Sequence, residues 1–373
     1  MPGRFLLPIL LLACLGASPA AAQPAATRTL KLETGKQIYD SGCVACHGAD
    51  GKGQSQNLAG FDPPATFPDF SDCPTAAVEP DFQWRAIITN GGSARAFSTI
   101  MPSFKDVLTQ EQIGKVVEHL RTFCSDDAWP RGNLNLPRAL ITEKAFPENE
   151  TVITGAVGAH GSPGVGSTVM YEKRIGATAM LEAIVPFDFT RDNGSWGTAF
   201  GDLALGYKQT LFHSVPRGSI FSVGGELSVP TGDVVAGTGG TSTVFEAFAA
   251  YGQLLPATSF VQVQMGVELP AHPAEASRVY FLRTAIGKSF SQEGGHGRRW
   301  SPIVEFVAER DLVSGGTTNW DVVPELQIPL SKRMHILGNV GVRFPANNTG
   351  GRPRHVLFYV LWDWMDGGLT QGW

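Results

Sequence analysis

Residues 43–47 read Cys43-Val44-Ala45-Cys46-His47. Two thiols at this spacing, followed at once by an imidazole, suit one piece of chemistry above others. The thiols add across the two vinyl groups on one porphyrin edge, and the next side chain is then held beneath the iron. A zinc half-site would use the same cysteines, but zinc needs a second ligand pair. No further close Cys/Cys or His/His spacing lies nearby. The motif therefore reads as the covalent attachment site of one haem c, with His47 as the proximal iron ligand.

A sixth ligand follows by elimination. Between Gln23 and Leu136 the chain has one methionine, Met101, and one other histidine, His119. His119 lies in Thr109–Phe123, where Thr109 and Gln112 form a capping box and Ile113, Val116, Val117 and Leu120 form an apolar stripe. That places it beside the buried face, as a rim residue. Met101 sits in the loop Ser98-Thr99-Ile100-Met101-Pro102, stiffened by Pro102. Met101 is the expected distal ligand.

The elements around these residues give the site a setting. Residues 34–124 resemble a class I cytochrome c domain. A helix containing Gly35, Ile38 and Tyr39 leads into the motif. Gly48-Ala49-Asp50-Gly51-Lys52-Gly53 and a loop around Pro63-Pro64 follow, then a helix near Asp81–Thr89, Met101-Pro102 and a terminal helix. The resemblance implies a small all-α fold whose first and last helices cross, with Gly35 and Tyr39 against the Val116/Leu120 face. It also implies thioether links at Cys43 and Cys46, axial roles for His47 and Met101, and a carbonyl of the Pro-rich loop orienting the His47 ring. Cys73 and Cys124 are additions to that pattern. In an oxidising compartment they are expected to pair.

Export is read from the first residues. Arg4, the apolar run Phe5–Leu15 and Ala20-Ala21-Ala22 make a signal peptide over 1–22, cleaved before Gln23. Leu11-Leu12-Ala13-Cys14 loosely resembles a lipidation site, but the Ala-x-Ala exit is the better cleavage signal. The domain plan is then a cytochrome domain over 23–125, a linker over 126–137 with Pro130, Gly132 and Pro137, and a β domain over 138–373.

In the β domain the hydrophobic period changes from 3.6 to 2. Val261-Gln262-Val263-Gln264-Met265-Gly266-Val267-Glu268-Leu269 is apolar at every odd position. About twelve such segments lie between Thr151 and Met365, most of them 9–14 residues long. Tilted membrane strands need about 9–11 residues, whereas soluble strands average about 5–6. The polar face carries Glu172, Glu182, Asp202, Lys208, Glu226, Gln262, Gln264, Glu268, Glu305 and Glu325. An outward apolar face with a wet lumen makes a membrane barrel, and the same alternation turned inward makes a soluble sandwich.

Other features favour the membrane. Short connections at Arg174–Ala177, Leu255–Ser259 and Ser331–Arg333 alternate with longer ones at Arg191–Thr198, Thr231–Thr241 and Ala346–Arg352. Aromatics gather at strand ends, as at Phe187/Phe189 and Trp362/Trp364. The run His355–Trp364, before the terminal Trp373, resembles the closing strand of bacterial outer-membrane barrels. The expected fold is thus an all-α cytochrome c domain followed by an antiparallel barrel of about 12 strands. A barrel of that size is too narrow to admit a folded domain of about 100 residues, so the haem domain should hang at its mouth.

Composition excludes other classes. The 373 residues carry 29 Lys+Arg against 34 Asp+Glu, a net charge of −5, which suits no nucleic-acid partner. Past the leader no apolar run is long enough for a spanning helix. Residues 138–373 offer no nucleophile motif, dinucleotide fingerprint or metal-spaced histidine pair. Their histidines (His160, His213, His272, His296, His335, His355) are scattered and read mostly as surface residues.

The expectation is an electron carrier rather than an enzyme, exported and held in the outer membrane by the barrel with its haem in the periplasm. It would exchange electrons with a periplasmic redox protein or a quinone-linked donor. Three alternatives stay open: a solute channel with the haem domain as a redox-sensitive plug, a soluble periplasmic protein, and an oxidoreductase β domain using the cytochrome as its electron acceptor.

Overall fold

Thr34 opens the first helix of the computed structural model, which describes residues 31–54, 67–158, 164–192, 195–292 and 297–373. The leader, Cys14, Pro63-Pro64, His160 and His296 lie outside the described residues. Thr34 and Gln37 form a reciprocal capping box on α1 (Gly35–Gly42). Among the described residues four further helices follow: α2 (Val44–His47), α3 (Cys73–Ala76), α4 (Asp81–Asn90) and α5 (Gln110–Leu120), the last capped by Thr109 and Gln112 as expected. Helices α1 and α5 cross so closely that a Cβ on Gly35 would lie 1.9 Å from the Lys115 carbonyl oxygen. Ile38, Tyr39, Trp84, Ile88, Ile113, Val116, Val117 and Leu120 fill the core between the helices. Cys73 and Cys124 are disulfide-bonded, tying α3 to the chain just past α5.

From residue 150 the chain is a strand meander. In order the strands are β1 (Glu150–Gly158), β2 (Gly164–Ile175), β3 (Ala179–Asp192), β4 (Leu203–Ser214), β5 (Ser219–Val229) and β6 (Val244–Leu254). Then come β7 (Ser259–Pro270), β8 (Val279–Lys288), β9 (Arg299–Asp311), β10 (Thr318–Pro329), β11 (Ile336–Pro345) and β12 (His355–Asp363). Every neighbour pair is antiparallel, and β12 returns to pair with β1 from Glu150↔Asp363 to Gly158↔His355. The twelve strands therefore close into a barrel with no free edge. The expected long connection at Arg191–Thr198 is a hairpin extension, in which Phe187–Asp192 pair with Ser195–Phe200.

Burial settles which face looks out. Glu172 and Glu305 are 0% exposed and Lys208 is 2%, while Leu205 is 67% and Met265 46% exposed. The charged side chains point into the barrel and the apolar ones point away from it. A soluble sandwich requires the reverse.

In the β domain expected over 138–373 the first strand begins at Glu150. Ahead of it Leu134–Phe146 cross the barrel interior, with Leu134, Leu136, Ala139 and Phe146 at most 5% exposed. The lumen that polar strand faces suggested would be wet is filled by the chain's own segment. In addition, His335 is not a surface histidine. It is 0% exposed, with Nδ1 against Ser331 Oγ at 3.0 Å and Nε2 against the Gly368 carbonyl at 3.1 Å.

Candidate functional site: the Cys43–His47 motif and the filled lumen

Helix α2 presents the motif, and the chain after it folds back to hold it. Gly53 N–H donates to the His47 carbonyl (2.8 Å), Gln54 N–H to the Cys46 carbonyl (3.0 Å), and Tyr39 Oη–H to the Gly48 carbonyl (2.7 Å). This return needs backbone that only glycine adopts easily, with φ of 77° at Gly51 and 85° at Gly53. A Cβ at Gly53 would strike Phe67 at 2.5 Å. Phe67 in turn stacks on the His47 ring at 5.1 Å, and Phe70 lies 5.2 Å from the same ring.

The electrostatics prepare a neutral ligand. Burial lowers the His47 pKa to about 4, so its ring is uncharged at neutral pH. Its buried Nδ1 has no hydrogen-bond partner among the described residues. Cys43 and Cys46 are half-buried and outside any disulfide. Burial, and then the neighbouring Cys46, push the Cys43 thiol up to about 11. Met101 packs against the same core as Cys43 and Val44. Two thiols at this spacing, a neutral imidazole beside them and a thioether on the same core as Cys43 fit an iron porphyrin. His119 sits at the rim, edge-on to Tyr39 at 5.2 Å and to Phe123 at 5.2 Å.

The barrel interior holds a second concentration of charge. Arg138 reaches Glu150 at 2.6 Å and Glu172 at 2.9 Å, while Lys144 pairs with Glu148 and Lys208 with Glu143. The crossing segment's backbone is bonded on every side. The Arg138 carbonyl accepts from Tyr359 Oη (2.7 Å), Thr142 N–H donates to Glu305 (2.6 Å) and Glu143 N–H to Gln264 (3.0 Å). Beyond this layer, strand register lines up Glu182, Gly206, Glu226, Glu246 and Glu268 across adjacent strands. Arg283 of β8 lines a cavity of about 150 Å³ there, together with Arg138 and Lys208.

With this geometry in hand, comparison with known proteins is informative for the helical part. Residues 31–120 match the family model of cytochrome c oxidase, cbb3-type, subunit III. This stretch is a cytochrome c domain. No curated protein sequence matches the chain significantly. Solved structures similar to it include the KdgM porin, at 10% identity and TM-score 0.40, covering 57% of this chain and 98% of that one. The NanC porin is 7% identical with TM-score 0.41, covering 57% and 98%. An outer membrane channel from Pseudomonas putida F1 is 12% identical with TM-score 0.39, covering 61% and 99%. The barrel stands on its own strand pairing.

The cysteine pair expected from the sequence is joined, and Cys43 and Met101 pack on one core. Sequence reasoning missed Arg138, Glu143 and Lys144. A usable sign was present: after Gly132 the segment to Phe146 has no glycine, is rich in apolar residues and carries three charges.

Proposed function

We propose that this protein is a monohaem one-electron carrier fixed to the outer membrane by its barrel. Haem c, when bound, supplies the one-electron Fe(III)/Fe(II) couple. Cys43 and Cys46 would hold it by thioether bonds, with His47 and Met101 as axial ligands. With both axial positions occupied by protein side chains, the site suits electron transfer rather than oxygen or peroxide activation. The outward apolar belt of the closed barrel supports membrane insertion, since only a closed sheet satisfies its backbone in lipid.

The observation that carries the anchor reading over the channel reading is the segment Leu134–Phe146. A lumen crossed by a chain bonded to strands all around it holds the barrel shut, so the barrel serves to keep the carrier in place. Electrons would then come from and go to a periplasmic redox protein or a quinone-linked donor on the side where the haem domain sits.

The test is fractionation with haem-stained gels, run with and without boiling, followed by planar-bilayer recording. Haem-positive outer-membrane protein with a boiling-dependent mobility shift and no conductance is the expected result. Steady conductance from the intact protein would favour the channel, and soluble haem-positive protein would sink the membrane reading.

A further inference from the structure

The loop that carries Met101 does not stand on the haem domain alone. It runs from Gly92 to Met101 and is closed at its base, where Gly92 N–H donates to the Met101 carbonyl at 3.1 Å. Phe97 N–H donates to the Gly92 carbonyl at 2.9 Å. At its tip Ala96 takes a left-handed backbone, φ 54°, which a residue with a side chain rarely adopts unaided. That tip faces the barrel. Arg333, in the turn between β10 and β11, donates from Nη2 to the Ala96 carbonyl at 2.8 Å and lays its guanidinium 4.3 Å from the Phe97 ring centre.

Arg333 is itself held from two directions. Its backbone N–H donates to the Gly372 carbonyl (3.1 Å), and Nη1 donates to the Asp366 carbonyl (3.2 Å). A Cβ on Gly372 would come within 2.6 Å of the Arg333 Cβ, so the C-terminal tail is moulded around this side chain. The Arg333 carbonyl accepts from Gln83 Nε2 at 3.5 Å, and Gln83 Oε1 accepts from Arg95 Nε at 2.7 Å, beside the loop's tip. The contacts thus form a chain from the barrel's last residues, through Arg333, to a loop whose end is Met101.

We propose that Arg333 is a positioning residue for the distal ligand: the barrel turn and tail use it to hold the Met101 loop in place over the haem. This rests on the Met101 ligation proposed above. Removing the guanidinium frees the strained tip, and Met101 then yields its place at the iron more readily to an added ligand. A hydrogen bond from a charged donor, together with the ring contact, sets the scale at about tenfold.

The experiment uses the full-length haem-loaded protein in detergent. The oxidised wild type should show the long-wavelength charge-transfer band of Met-ligated haem. Its absence would overturn the ligand assignment, and with it this proposal. Given the band, Arg333→Ala should raise the affinity of the oxidised protein for imidazole about tenfold and lower the midpoint potential. Arg333→Lys, which keeps a donor for the Ala96 carbonyl, should recover part of both. Arg299→Ala removes another barrel-to-domain contact, a guanidinium 4.0 Å over Phe82, and should change neither. If Arg333→Ala does not assemble, Gly372→Ala displaces the side chain without deleting it and should shift imidazole affinity in the same direction. Wild-type affinity in Arg333→Ala or, where that does not assemble, in Gly372→Ala, or an equal shift in Arg299→Ala, would overturn the proposal.

Discussion

The haem domain and the barrel obey the same rule of burial with opposite signs. In the helical domain Ile113 is 0% exposed and the outer faces are polar. In the barrel Glu172 and Glu305 are 0% exposed and the outer face is apolar. In the helical domain hydrophobic side chains leave water by turning inward, and in the proposed membrane setting those of the barrel leave it by turning outward. The difference also moves the work of satisfying buried groups. The haem domain needs few ion pairs inside, whereas the barrel encloses many carboxylates and meets them with Arg138 and Lys144 of the crossing segment, with Lys208 of its strands and, at Glu305, with backbone N–H donors.

Breaking that inverted core should give the largest effect. Arg138→Ala leaves Glu150 and Glu172 without their guanidinium, and removing one partner of a buried pair costs about 3–5 kcal/mol. The compact form on unboiled gels should be lost at a clearly lower temperature, and conductance should appear in bilayers. An unchanged midpoint and a silent bilayer would mean that the segment is held by other bonds.

The disulfide tests the helical side alone. Changing Cys73 and Cys124 to serine opens a loop with a sequence separation of 51 residues, worth about 4 kcal/mol in the chain-entropy model. Chemical unfolding followed at the haem should shift by that order, while the gel mobility of the barrel stays as it was. A shared loss would show that the two regions unfold together.

Exposed apolar residues sharpen the contrast further. Met265→Arg on the barrel's outer face should cost about 2–4 kcal/mol if that face meets lipid. Val107→Lys, at a position 69% exposed on the haem domain, should stay within about 0.5 kcal/mol. Equal, small effects measured by urea titration in vesicles would remove the membrane from the account.

The smallest effect is expected where the two regions touch. Desolvation raises the Glu79 carboxyl above its usual range, although its hydrogen bond to Asp366 works the other way, and burial likewise raises Asp366. The folded protein therefore keeps a proton that the unfolded chain, with carboxylate pKa values of about 4, has lost. More protons on the folded side mean that stability falls as pH rises above that value. Glu79→Gln should flatten this slope in urea midpoints compared at mildly acid and mildly alkaline pH. An unchanged slope would assign the dependence to other groups.

Much of this was legible in the sequence because local chemistry dictated it. Cys43-Val44-Ala45-Cys46-His47 names its own ligand, Thr109 and Gln112 mark a helix start, and the alternation through Val261–Leu269 fixes a strand. The sense of that alternation was not legible, because a period of two is the same whether the apolar face turns inward or outward. The crossing segment escaped for a related reason. Leu134–Phe146 has no regular period to announce it, being held mainly by side chains of distant strands rather than by its own hydrogen bonds. His335 and Arg333 look like ordinary turn residues until the tail closes over them, and no spacing in the sequence foretells a contact between residue 333 and residue 96.

The Arg333 clamp and the crossing segment have one consequence together. Gly132 and Asn133, just ahead of that segment, bond to the Ala77 carbonyl and to Asp81, and Arg333 bonds to the Ala96 carbonyl, so the haem domain is held at two points and has little freedom to swing on a tether. A carrier free to swing can sample many orientations and let its partner stay still. One clamped in this way presents the same edge in the same direction at every encounter, leaving the search to the partner. With the barrel in the outer membrane, as proposed, that search takes place in a thin layer beside a surface, where proper orientation counts for more than reach.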